Sequence, residues 1–217
     1  SKADRINRLR ANMADKQLDA FLVSSSENRA YFSGFQGSAG YLWITPTDAM
    51  LATDFRYTEQ AAVQATDYRV VRIAGGLVWF DEAVADSNAR RIGFEDSSMT
   101  VSLFNSLRAK LQDRDPAPEL VASEGFASQL RAVKEPDELL TIQRAIDLAD
   151  QAMEAVGAQL RPGLTEREVA WMMEKTMRES GADALSFDTI IASGPNGAKA
   201  HHHPSERKLE AGDGVVI

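Results

Sequence analysis

The 217-residue sequence contains no cysteine, so disulfides, thiolate metal sites and a cysteine nucleophile are excluded. A cysteine-free chain also fits a reducing compartment. Histidine is nearly absent: there are three, and all stand in one triplet, His201-His202-His203. No apolar run approaches the roughly 20 residues that a membrane helix requires, and no secretory h-region opens the sequence, so a cytoplasmic protein without a membrane partner is expected. Basic residues are the minority, 24 Lys and Arg against 32 Asp and Glu, for a net charge of −8. That balance argues against nucleic acid as a partner, because phosphate neutralisation needs clustered Lys and Arg. What is present is ordinary for a globular protein, 44% hydrophobic and 26% charged residues, enough for one large domain or two modest ones.

The first part of the chain alternates helical and strand patterns. Ile6, Leu9 and Met13 share a helical face, and "DAFLVS" from Asp19 is a short buried strand. "YLWITP" and "AMLATD" form two apolar runs around Thr47-Asp48, a hairpin signal. Helix is expected over Arg56–Ala65, Val78–Ala85 and Leu103–Leu111, and strand over "YRVVRI", "RIGFED" and "ELVAS". Strands alternating with helices predict an α/β domain with helices covering a sheet.

A boundary falls near "RAVKEPDE", dividing the chain into residues 1–131 and 132–217. Beyond it, Leu139, Ile142, Ile146, Ala149, Met153, Val156 and Leu160 recur at helical spacing, a long amphipathic helix stopped by Arg161-Pro162-Gly163. Thr165 and Glu168 make a capping box, with Leu164 and Val169 as its hydrophobic staple, and the helix they start runs to Gly181. "FDTIIASG" reads as strand, Gly194–Ser205 as loop, and "GDGVVI" as a turn entering a strand with no partner behind it, the expected mark of an incomplete domain.

Few residues offer chemistry. Three roles stand open for the histidine triplet: a shared ion between His201 and His203, which point to one side of an extended segment; plain exposure on a polar loop; or one imidazole donating a proton or hydrogen bond in a cleft. The Gly-rich "GFQGSAG" lacks the Lys-Ser/Thr ending of a phosphate loop and the spacing of a dinucleotide fingerprint, so it reads as a turn. Asp54, in "TDFRY", reads as a helix cap, with an Arg56–Tyr57 pair that could touch a ligand or neighbouring subunit as the alternative. Glu95-Asp96 occupy oppositely directed strand positions and make a poor acid/base pair. There is no G-x-S-x-G nucleophile motif.

"AYFSGFQGSAGYLWIT", "LATDFRYTEQA", "RIGFE", "LRAVKEPDELLTIQRAIDLADQAM" and "FDTIIASGPNGAKAHHHPSERKLEAGDGVVI" together resemble the creatinase and aminopeptidase P branch of the pita-bread metallopeptidases, over nearly the whole chain. The resemblance implies a creatinase-like α/β/α N-terminal domain with a mixed sheet, followed by the first part of a pita-bread α+β catalytic domain. It implies hydrolysis of the bond preceding proline, in Xaa-Pro dipeptides or in peptides with proline second, by two divalent metals, manganese or cobalt, in a homodimer. The family histidine matches His201, implied to hydrogen-bond the substrate amide and the tetrahedral intermediate outside the metal shell. Phe187 matches a position lining the proline-side pocket. Ala200 stands where the family has proline, and His202 and His203 receive no role. The metal ligands of the family fall after the strand begun by "GVVI", so residues 1–217 are expected to bind no metal and to be inactive alone. A metal-free creatinase-like C–N hydrolase and a non-catalytic binding or assembly module are the alternatives.

Overall fold

A computed structural model describes residues 1–217. The chain divides into two compact units, Ser1–Val133 and Lys134–Ile217.

The N-terminal unit is built on six strands: β1 (Ala20–Val23), β2 (Tyr41–Ile44), β3 (Ala49–Thr53), β4 (Arg69–Arg72), β5 (Arg91–Phe94) and β6 (Glu119–Ala122). Their order in the sheet is β4-β3-β2-β1-β5-β6. The β1–β2 and β2–β3 pairs are antiparallel, and β1–β5, β5–β6 and β3–β4 are parallel. The expected hairpin is β2–β3, closed by the Thr45 N–H on the Asp48 carbonyl at 3.0 Å.

Alternation along the central strands sends side chains to two cores. Phe21, Val23, Leu42, Ile44 and Leu51 pack with Ile6, Leu9 and Met13 of helix α1 (Lys2–Asp15) and Phe32 of helix α2 (Ser26–Ser33). Ala20, Leu22, Trp43, Met50 and Ala52 face the other way, against Trp79, Phe80 and Val84 of helix α4 (Val78–Ser87) and Leu107 and Leu111 of helix α5 (Val101–Gln112). Both faces are covered, and burial of each large side chain stabilises the fold by roughly 1.5–3 kcal/mol. Helix α3 (Thr58–Gln64) is shorter than the expected Arg56–Ala65 because Phe55–Tyr57 form a separate 3₁₀ turn. Asp54 starts that turn by accepting from the Arg56 N–H at 3.0 Å and pairing with its guanidinium, the capping role read from sequence. The Gly-rich turn is likewise structural: buried Arg29 donates to the carbonyls of Gly40 and Gly37 at 2.8 and 2.6 Å.

The C-terminal unit has helix α6 (Pro136–Gly157), helix α7 (Glu166–Glu179) and a two-stranded antiparallel sheet of β7 (Ala192–Ser193) and β8 (Val215–Val216). Pro136 opens α6 where its missing N–H costs nothing. The predicted apolar stripe is only partly buried. Of its residues on α6 only Val156 is enclosed, together with Ala152, which the stripe did not include, whereas Leu139, Ile142, Ile146 and Met153 remain between 42% and 54% exposed, because within this unit α6 is enclosed only near its end. The expected strand over "FDTIIASG" shrinks to Ala192–Ser193; periodicity marked an apolar run, but only these two residues find a ladder partner. No helix is long and apolar enough to cross a membrane.

Candidate functional site

The site is the segment between β7 and β8, and its geometry begins at the start of α7. Thr165 caps the helix and Glu168 returns the bond to the Thr165 N–H at 2.7 Å, as the capping box requires. Glu166, the first helical residue, is thereby turned inward. Residues 205–209 run antiparallel to this entry, with Leu209 N–H on the Leu164 carbonyl at 2.8 Å and Glu166 N–H on the Arg207 carbonyl at 3.0 Å. β7 lies on the other side of the carboxylate.

Glu166 is fully buried. Its Oε1 accepts from the Ser193 N–H and Oγ, both at 2.8 Å, and from Asn196 Nδ2 at 3.0 Å. Its Oε2 accepts from the Ser205 N–H at 3.0 Å and Ser205 Oγ at 2.6 Å, and lies 2.8 Å from His202 Nε2. A carboxylate has only acceptors, so His202 carries its proton on Nε2. Burial alone would raise the Glu166 pKa, but the donors from Ser205, Asn196, Ser193 and His202 outweigh it and hold the carboxyl well below its ordinary value of 4.5. Arg207 completes the frame, donating to Ser193 Oγ at 2.7 Å and to Asp213 at 2.6 Å. The Asp213 carboxyl is held below its usual range by that guanidinium and by the Glu210 N–H.

Serine, histidine and glutamate meet here without forming a nucleophilic triad. In a triad the imidazole bridges hydroxyl and carboxylate; here the carboxylate is the centre and both serine hydroxyls bond to it. The frame also does not fit a metal. Both Glu166 oxygens are already filled by donors, Asp213 is paired, and no group of three or more His, Asp or Glu is placed to hold an ion.

The histidine triplet is split by this frame. The His202 side chain is 9% exposed and tied to Glu166, while His201 and His203 are exposed on either side. Sequence reasoning gave His202 no role and missed Glu166 altogether, since its signal was absorbed by the neighbouring capping box. Phe187 is 75% exposed and lies in an irregular bend rather than a strand. In the N-terminal unit Glu95 is not half of an acid/base pair: it is 5% exposed and accepts from the Ser24 and Ser25 N–H groups at 2.6 and 2.7 Å and from Asn28.

The N-terminal unit is thus a mixed sheet with helices on both faces, and the C-terminal unit two helices followed by a two-stranded sheet. Residues 5–133 match the creatinase/prolidase N-terminal domain and residues 141–217 match metallopeptidase family M24. The chain belongs to the creatinase/prolidase branch of that metallopeptidase family, and residues 134–217 carry the first elements of its pita-bread fold. It is 35% identical over 214 residues to the uncharacterized peptidase YqhT of Bacillus subtilis, covering 98% of this chain and 60% of that protein. Among solved structures it resembles the Xaa-Pro dipeptidase from Bacillus anthracis, at 33% identity and a TM-score of 0.92, over 99% of this chain and 59% of that one. The X-Pro aminopeptidase from Thermotoga maritima MSB8 matches at 32% identity and a TM-score of 0.84, over 97% of this chain and 59% of its own. The chain thus spans about 60% of the length of the relatives it matches.

Proposed function

We propose that the intact protein is an Xaa-Pro dipeptidase or aminopeptidase, hydrolysing the bond before proline in a dipeptide or at the second position of a peptide. The observation that carries this reading is an exposed imidazole, His201, on a loop fixed by a buried carboxylate, within a chain whose relatives include enzymes of both kinds. In this reading His201 donates a hydrogen bond to the scissile amide and to the oxyanion of the tetrahedral intermediate. An exposed, unpaired ring can turn its N–H toward a bound peptide without breaking an existing bond. Phe187, with its ring in solvent, supplies apolar surface for the proline side of the substrate.

Two divalent ions, manganese or cobalt, would supply the activated water when bound. Residues 1–217 do not provide their ligands, so the ligand set is assigned to the part of the protein following Ile217, and the fragment alone is expected to be inactive. A cytoplasmic homodimer belongs to the same proposal; the cysteine-free composition supports the compartment.

His201→Ala in the intact protein tests the reading. Turnover of an Xaa-Pro substrate is expected to fall by on the order of 100-fold while metal content stays at the wild-type level, as for loss of one oxyanion donor. Undiminished turnover removes His201 from the reaction. Metal loss in step with activity would make it a ligand instead.

A further inference from the structure

We propose that Glu166 is the positioning residue for His201, tying both ends of the loop that carries it; the inference rests on the catalytic reading of His201 above. The two carboxylate oxygens divide the loop between them. Oε1 holds the outgoing end through Ser193 and Asn196, and Oε2 holds the returning end through His202 and Ser205. His201 is one peptide bond from the clamped imidazole of His202. Arg207 adds a tie from Ser193 Oγ to Asp213, and Arg167 holds the Ser205 and Pro204 carbonyls. The Glu166 carboxylate alone bonds both ends and the imidazole next to His201. The strands that flank this segment have two residues each, too short to define a loop by pairing alone. The residues from Gly197 to His201 are exposed. Loop order is therefore carried by charge-assisted hydrogen bonds converging on one buried carboxylate.

This geometry makes an isosteric change informative. In Glu166→Gln one oxygen becomes an NH₂ group, and whichever way the amide turns, that group opposes a backbone N–H, of Ser193 or of Ser205, and is met only if a serine hydroxyl or the His202 tautomer reverses its role. One end of the loop is then held less firmly, although size and burial are unchanged. His202→Ala releases one donor at the returning end and leaves the carboxylate in place. His202→Gln keeps an N–H able to reach Oε2.

The test measures two quantities in the intact protein: amide hydrogen exchange at Ser193 and Ser205, and turnover of an Xaa-Pro dipeptide. Glu166→Gln is expected to speed exchange at one or both amides by on the order of 10-fold and to lower kcat by 10-fold or more with KM nearly constant. His202→Ala is expected to do the same more weakly, and His202→Gln to recover most of its loss. In a His201→Ala background, Glu166→Gln is expected to cost little further turnover, because the group it positions is already gone. Unchanged exchange in Glu166→Gln overturns the proposal, as does a kcat loss that multiplies in full onto that of His201→Ala. If Glu166→Gln does not fold, the His202 pair gives the same two readouts, and equal behaviour of His202→Ala and wild type overturns it. A wild-type protein that does not cleave Xaa-Pro bonds defeats the functional reading alone, while exchange still decides whether Glu166 holds the loop.

Discussion

Each unit of the molecule buries one glutamate that gathers donors from two segments, and the two do different work. Glu95 sits at the end of β5 and joins it to the turn after β1, where Ser24 and Ser25 supply backbone and hydroxyl donors and Asn28 an amide. Those strands are already paired, β1 against β5, and packed on both faces by the two apolar cores. Glu95 fastens a corner whose place is set by burial. Glu166 lies beside a smaller core, in which Ile191, Ala192 and Leu209 anchor the ends of its segment, while the loop from Gly197 to His201 is exposed and its flanking strands have two residues each. The lesson is that a buried carboxylate is supplementary where apolar area is plentiful and decisive where it is scarce.

The largest effect separating the two regions should come from the sheet core. Phe21 is fully buried and stacks on Phe126 with ring centroids 4.8 Å apart. Phe21→Ala is expected to cost about 3–5 kcal/mol in urea unfolding, with amide exchange at Ser205 unchanged. Accelerated exchange there would show that the loop depends on the N-terminal core.

Glu95→Gln comes next, at about 1–3 kcal/mol, since an amide set against several donors leaves some buried and unsatisfied. The loss should appear in unfolding of the N-terminal unit and leave Xaa-Pro turnover intact. A loss of turnover equal to that of Glu166→Gln would erase the distinction between the two carboxylates.

A smaller effect follows from pH. The folded Glu166 carboxyl titrates well below its ordinary value of 4.5. Its contribution to stability is therefore complete above that value and is lost as pH falls below it, by at most about 1.4 kcal/mol per pH unit. Urea unfolding of the C-terminal unit between pH 7 and pH 3 should show this acid-side slope in wild type and a shallower one in Glu166→Gln. Equal slopes would mean that the carboxylate gains nothing from its donors.

The smallest expected effect is at Lys175, whose pair with Glu179 at 3.7 Å leaves both side chains more than half exposed. Lys175→Ala should leave the unfolding midpoint where it is, because solvent screens such pairs. A clear shift would show that surface charge holds this unit as well.

Much of the fold is legible in the chain alone. Ile6, Leu9 and Met13 lie on the buried face of α1, the runs around Thr47-Asp48 form the β2–β3 hairpin, and Thr165 with Glu168 starts α7. These are local patterns, and local geometry decides them. The stripe on α6 misleads over most of its length, because periodicity identifies an apolar face without saying whether a partner lies against it. At the site the legible part is the loop and its histidines. The hidden part is Glu166, 27 residues before Ser193 and 39 before Ser205, whose partners no spacing rule connects.

By itself, then, the sequence determined the alternating α/β order, the caps and turns, and the resemblance that led to a metallopeptidase family, since each rests on neighbouring residues or on motifs contiguous in the chain. Only the tertiary structure decided which of three consecutive histidines is tied down and which faces solvent. That choice depends on a carboxylate brought from a distant helix start into a space closed to solvent, where its charge is stable only if donors from both ends of the loop close around it.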